Sequence, residues 1–115
     1  MHELSIAKNI IEIAEEHARQ EGAAAITKVA LQIGTLSGVV PEALEFAFEA
    51  ARVGTMAASA ELEMEIVPLI CSCGDCKLEF TVEDRHGIAL CPKCGKPSGD
   101  IRRGRELAVH SLEVV

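Results

Sequence analysis

The chain has 115 residues, 49% of them apolar, and a formal net charge of −7; that length buries one core plus a small module that hydrophobic burial alone cannot hold. The acidic balance excludes a general affinity for nucleic acid, whose phosphates require a basic surface, and with no Trp or Tyr there is almost nothing to stack on bases. No apolar run approaches the ~20 residues of a membrane span, and Met1-His2-Glu3 lacks the basic start and apolar stretch of a secretory signal, so a cytoplasmic location is expected.

In chain order, Leu4 to about Glu21 reads as an amphipathic helix. Ile6, Ile10 and Ile13 recur at helical spacing, Ile11 and Ala14 widen the stripe, and Lys8, Glu12, Glu15, Glu16 and Arg19 fall largely on the wet side. Gly22 is its stop, since glycine accepts the left-handed conformation that ends helices. Ile26 to Ile33 alternates as a strand, Val29, Leu31 and Ile33 against Lys28 and Gln32. After a loop from Gly34 to Val40, Pro41 opens a second helix, with Glu42 and Glu45 near its positive end. Leu44, Phe46, Ala47 and Phe48 supply the bulk of that helix, and Gly54 ends it.

Glu61 to Ile66 alternates strictly, Leu62, Met64 and Ile66 against three glutamates, which predicts one core face and one solvent face. The last segment, Glu106 to Val115, is extended too, but its apolar positions change phase between Leu107/Val109 and Leu112/Val114. One added residue reconciles the phases, which predicts a β-bulge at His110 or Ser111. The fold expected is α+β: two helices packed on a three-stranded mixed sheet, with a cysteine module inserted between the second and third strands. The chain would cross into and out of that module near Pro68 to Ile70 and Gly99 to Arg105.

The module carries the strongest signal. Cys73 and Cys76 form one CxxC pair and Cys91 and Cys94 another, after fourteen intervening residues; two such pairs bend onto one tetrahedral zinc ion. Between them Leu78 to Val82 resembles a strand, Asp84 to Gly87 a turn and Ile88 to Leu90 a return strand, a hairpin that would bring the pairs together. Four sulfurs leave no open coordination position, so the zinc is expected to be structural and not catalytic. The odd cysteine, Cys71, is expected as a free or alternate thiol. A redox role is the rival reading, but a redox CxxC normally stands alone at a helix start.

His2 is open to chemistry that the same residue cannot do in mid-chain. The terminal amine, the deprotonated His2 amide and its ring Nδ1 can close fused chelate rings, with the Glu3 amide as a further donor, and nitrogens in a plane suit nickel(II) or copper(II). On the residues alone, an exposed and idle histidine is the simpler alternative. His17 is expected on a helix surface, His86 in the hairpin turn, and His110 in a structural role in the last strand. Neither a Ser/His/Asp arrangement nor a phosphate-cradling glycine loop is visible, so the chain is not expected to be an enzyme.

End to end, the sequence resembles the HypA/HybF family of nickel metallochaperones for [NiFe]-hydrogenase maturation. The residues that carry the likeness are Met1-His2-Glu3, IGTLSGV at Ile33 to Val39, the Leu44/Phe46/Phe48 helix, Pro68, CGDC, CPKCG and the closing ELAVHSLEV. The resemblance implies that nickel(II), as cargo, binds through Met1, His2 and Glu3, and that zinc(II) is held by Cys73, Cys76, Cys91 and Cys94. It also implies delivery with a HypB-type GTPase to the hydrogenase large subunit, and in some members service to urease. The domains expected are then 1–69 plus 105–115 for nickel and 70–104 for zinc, in a monomer or weak homodimer with no nucleic-acid or membrane partner. The rival is a zinc-ribbon adaptor for protein or nucleic acid, supported by the basic cluster Arg102, Arg103 and Arg105.

Overall fold

The computed structural model describes residues 2–82 and 89–115. Met1, the expected turn at Asp84 to Gly87 with His86, and Ile88 lie outside the described residues. The elements in chain order are α1 (His2–Gln20), β1 (Ile26–Gly34), α2 (Pro41–Ala51), β2 (Glu61–Val67), β3 (Leu69–Cys73), β4 (Leu78–Val82), β5 (Ile101–Arg103) and β6 (Leu107–Val114). They form two three-stranded sheets, ordered β2-β1-β6 and β4-β3-β5. Two compact units result: Met1–Gln32, Val39–Glu65 and Ala108–Val115 in one, Ile33–Gly38 and Ile66–Leu107 in the other.

In the first unit, α1 buries Ala7, Ile10, Ile11, Ala14 and Ala18, small side chains that let it pack closely on α2. Ile13, expected in that stripe, is 48% exposed. The helix ends as Gly22 predicts: Gly22 has φ 69°, its N–H donates to the Arg19 carbonyl, and the Ala23 N–H donates to that of Ala18, the paired bonds of a left-handed C-terminal cap. Glu15 Oε2 accepts the Met56 N–H at 3.0 Å, tying α1 to the turns after α2.

α2 starts at Pro41 and buries Leu44, Ala47 and Phe48. Phe46 does not join them: it is 79% exposed, because a residue two positions from both Leu44 and Phe48 points away from their face on a 3.6-residue turn. In β2, Leu62 and Met64 are half-buried, Ile66 is 48% exposed and Val67 is buried. The expected alternation therefore holds weakly and changes phase at the strand's end.

The first sheet is mixed. Lys28 reaches Glu63, Gln32 reaches Glu65 and Thr35 N–H reaches the Val67 carbonyl, so β1 and β2 run in the same direction, joined through α2. β6 runs against β1: Ala25 and Val115 exchange both backbone hydrogen bonds, and Gly34 N–H donates to Glu106. The phase change expected in β6 appears as two consecutive exposed residues, His110 and Ser111, between half-buried Val109 and Leu112. The same number of residues separates Ala25 from Gly34 as Glu106 from Val115. β6 therefore carries no net extra residue between these pairs, and the bulge expected at His110 or Ser111 is seen only as a change of burial phase; Lys28 on β1 bridges Glu63 and Glu113.

In the second unit the sheet is antiparallel, with Leu69 opposite Val82 and Cys73 opposite Leu78 in the β3–β4 ladder. β3 and β5, read from sequence as linking segments, are strands. Leu69, Cys71 and Cys73 are the buried, alternating residues of β3, and cysteine packs there as a small hydrophobe. Among the described residues β4 pairs with β3 and Leu90 bridges to Pro97, in place of the expected hairpin between β4 and Leu90.

At the base of this unit the backbone passes itself at very short range. A Cβ on Gly34 would strike the Gly104 carbonyl, and one on Gly104, whose φ is +120°, would lie 2.8 Å from Leu69 Cα. Gly34 N–H donates to Glu106 O and Leu36 N–H to Gly104 O, both at 2.7 Å. Glu106 Oε1 accepts the Gly104 N–H at 2.7 Å and Oε2 meets Arg103 Nε at 3.3 Å. The Gly104 and Glu106 backbone N–H groups, then Arg103, hold the Glu106 carboxyl below its ordinary range. Gly34→Ala and Gly104→Ala should each lower stability by ~2–3 kcal/mol, read by thermal unfolding. Because the folded-state pKa of Glu106 is depressed, its contribution is present at neutral pH and lost as pH falls through its folded pKa. The stability gap between wild type and Glu106→Gln should therefore close on acidification.

Candidate metal centre

Each CxxC pair is the turn of its own β-hairpin, and the two turns have one design. In the first, Cys73 pairs with Leu78 across the loop Gly74-Asp75-Cys76-Lys77, and Lys77 N–H returns to Cys73 O at 2.8 Å. In the second, Cys91 N–H donates to Lys96 O across the loop Pro92-Lys93-Cys94-Gly95, and Gly95 N–H returns to Cys91 O at 2.8 Å. The Leu90–Pro97 bridge and the Ser98 N–H to Ala89 O bond extend that short ladder. The fourth loop residue is left-handed in both, Lys77 at φ 53° and Gly95 at φ 75°. Asp75 Oδ2 and Lys96 Nζ, 2.6 Å apart, join the two turns.

This geometry brings the sulfurs of Cys73, Cys76, Cys91 and Cys94 within 4.8 Å of one another, with Cys73 Sγ and Cys94 Sγ at 3.7 Å. A tetrahedral zinc ion with Zn–S bonds of ~2.3 Å separates its sulfurs by about 3.8 Å, so the cluster fits a structural zinc site. Among the described residues these four are the one convergent set of His, Cys, Asp or Glu side chains able to hold an ion. Cys73 and Cys91 are buried, Cys76 partly so, and Cys94 is exposed.

The thiols are not equivalent as acids. The Cys94 and Lys93 backbone N–H groups, with sulfur neighbours, hold Cys91 down to about 7 against the opposing effect of burial. Burial, followed by the surrounding sulfurs, pushes Cys76 up to about 12. Cys71 stays outside the cluster: it is 1% exposed, faces Phe80 and Ile101 across its ladders, and burial and then Asp100 push its thiol up.

The remaining candidates are dispersed. His2 and Glu3 fall in the first turn of α1. His17 and His110 are exposed and line one open hollow of about 510 Å³ with Ile13 and Leu112. In the basic cluster Arg102 Nη2 meets Asp100 Oδ2 at 2.9 Å and Arg103 meets Glu106, while Arg105 is exposed. Sequence reasoning missed the Asp75–Lys96 pair and the left-handed Lys77. The CxxC-plus-one spacing, which puts a glycine at the equivalent position 95, is the signal that marks Lys77. A left-handed lysine carries a penalty that glycine does not. Lys77→Gly should therefore stabilise this unit by ~1 kcal/mol, measured as a higher unfolding midpoint of the metal-loaded protein.

Comparison with known proteins agrees with this architecture. A family model described as hydrogenase/urease nickel incorporation, metallochaperone, HypA matches residues 1–114. The chain is 47% identical over 113 residues to hydrogenase maturation factor HypA of Chloroflexus aurantiacus, covering 98% of each protein. It is 43% identical over 115 residues to the HypA of a Picosynechococcus species, covering 100% of each. The solution structure of the nickel metallochaperone HypA from Helicobacter pylori superposes with a TM-score of 0.69 at 29% identity, over 100% of this chain and 98% of that one. A second solution structure of a HypA protein gives a TM-score of 0.73 at 29% identity, over 100% and 97%. The chain belongs to the HypA family of hydrogenase maturation factors and nickel metallochaperones.

Proposed function

We propose that this protein binds nickel(II) at its amino terminus, through the Met1 amine, His2 and Glu3, and delivers it during [NiFe]-hydrogenase maturation. The observation that carries the reading is the placement of His2 and Glu3 in the first turn of α1. The N–H groups of a helix's first turn have no intrahelical acceptor. Deprotonating the His2 and Glu3 amides to make metal donors therefore breaks no helical hydrogen bond, and the resulting anions lie at the positive end of the helix dipole. Together with the Met1 amine and His2 Nδ1, they supply nitrogens suited to square-planar nickel. Donors at a chain end are replaced one at a time by an acceptor, so cargo leaves by ligand exchange without opening a core.

Cys73, Cys76, Cys91 and Cys94 hold zinc, which organises the fold of residues 70–104; residues 1–69 and 105–115 form the nickel-binding domain. Partners on this reading are a HypB-type GTPase and the hydrogenase large subunit, with urease as a second acceptor, in the cytoplasm. Among the described residues no helix is long and apolar enough to cross a membrane.

His2→Ala should abolish nickel binding in isothermal titration while zinc content and thermal unfolding stay as in wild type. A tag fused ahead of Met1 should weaken nickel binding by removing the amine. Full-strength nickel binding by either protein rejects the assignment. For zinc, Cys73→Ser should release the metal and Cys71→Ser retain it, by elemental analysis. Since burial and the surrounding sulfurs push the Cys76 thiol up, zinc binding at neutral pH displaces its proton. Apparent zinc affinity should therefore still rise, about tenfold per pH unit per proton displaced, above pH 7.

A further inference from the structure

The outer face of α2 sets exposed apolar side chains among carboxylates. Glu42, Glu45, Phe46, Glu49 and Ala50 are exposed along it, and Val53 follows beyond its last turn. Phe46 is 79% and Val53 78% exposed. Helical spacing places Phe46 and Ala50 at i and i+4 on one stripe, with Glu42 and Glu49 one turn either way from Phe46, and Val53 is exposed in the turn that follows.

Beside the stripe opens a hollow of about 220 Å³ whose lining includes Glu45, Glu49 and Glu61, with Phe48 and Leu62. The one cationic side chain lining it, Arg52, donates through Nη1 to the Ala60 carbonyl at 2.8 Å. The three carboxylates do not converge as an ion-binding set among the described residues. The hollow therefore suits a long cationic side chain, whose several donors reach separated carboxylates, better than a bare metal ion. Phe46 does not line the hollow but follows Glu45 directly in the sequence and is exposed. An exposed aromatic anchor beside a charged pocket is the composition found where a few residues carry most of a protein–protein affinity.

We propose that this face of α2 is a docking surface for a protein partner that presents an arginine or lysine next to an apolar concavity. The basic side chain enters the Glu45/Glu49/Glu61 hollow and the concavity covers Phe46 and Val53. The inference rests on the partner reading above, in which the GTPase is that partner, and deepens it by naming the surface.

The test measures binding of the purified full-length HypB-type GTPase from the same organism to zinc-loaded wild type, Phe46→Ala, the charge reversal Glu45→Lys/Glu49→Lys, and a charge-matched control on α1, Glu12→Lys/Glu16→Lys. Phe46→Ala and the α2 reversal should each weaken binding at least tenfold, and the control less than threefold. Wild-type affinity should fall with added NaCl, and the α2 reversal should lose most of that dependence. Nickel titration, zinc content and the unfolding midpoint should be unchanged in Phe46→Ala, since its side chain is in water. If wild type binds and both α2 variants bind equally well, or if the α1 control weakens as much as the α2 reversal, the surface is wrong while the partner reading stands. If wild type does not bind the GTPase at any salt concentration, the partner reading falls and takes this surface with it.

Discussion

The second compact unit is anchored by a backbone contact rather than by side chains. A methyl group at Gly34 would strike the Gly104 carbonyl and one at Gly104 would strike Leu69 Cα, so neither position has room for one. The stretch Gly34 to Leu36 hydrogen-bonds both ends of the cysteine-bearing insertion, through Val67 on one side and Gly104 and Glu106 on the other. The insertion is thus clasped at its base by peptide groups, which are obligatory donors and acceptors that must find partners when buried. Its far end relies on sulfur. Between them lies little apolar material, chiefly Leu69, Cys71 and Cys73 on one face of β3. A unit this thin cannot stand on hydrophobic burial, and the thiolate cluster supplies what the core does not.

Much of this was legible in the sequence because single residues carried unambiguous physics. Gly22 marked the end of α1 and Pro41 the start of α2, and the phase slip between Val109 and Leu112 matches the change of burial phase along β6. The four cysteines of the cluster were separated from Cys71 by spacing alone. What escaped reading did so for identifiable reasons. β3 is invisible while cysteines count only as ligands, since Leu69-Ile70-Cys71-Ser72-Cys73 alternates only if sulfur counts as apolar. The pairing of β4 was misassigned because the nearest extended stretch was taken as its partner, whereas each CxxC closes a hairpin of its own. Phe46 was grouped with Leu44, Ala47 and Phe48 as the bulk of α2, yet two neighbours at a spacing of two cannot share a helix face with it.

The chemistry expected of the two metals matches the backbone that carries each. Four sulfurs converging at the turns of two hairpins close a shell around an ion and offer it no exit. A helix's first turn does the opposite: its amide groups lack acceptors within the helix, and the chain end beyond them adds an amine. On the nickel site proposed above, retention and release fall to different backbone geometries.

The two cysteine turns share more than a motif. Each spans four loop residues between paired strand ends, each places its second cysteine third in the loop, and each closes with a left-handed residue bonded back to the first cysteine. Sequences as unlike as Gly-Asp-Cys-Lys and Pro-Lys-Cys-Gly therefore fill the same space. The half-sites follow one backbone plan, in which the strand end supplies the first cysteine and the loop the second.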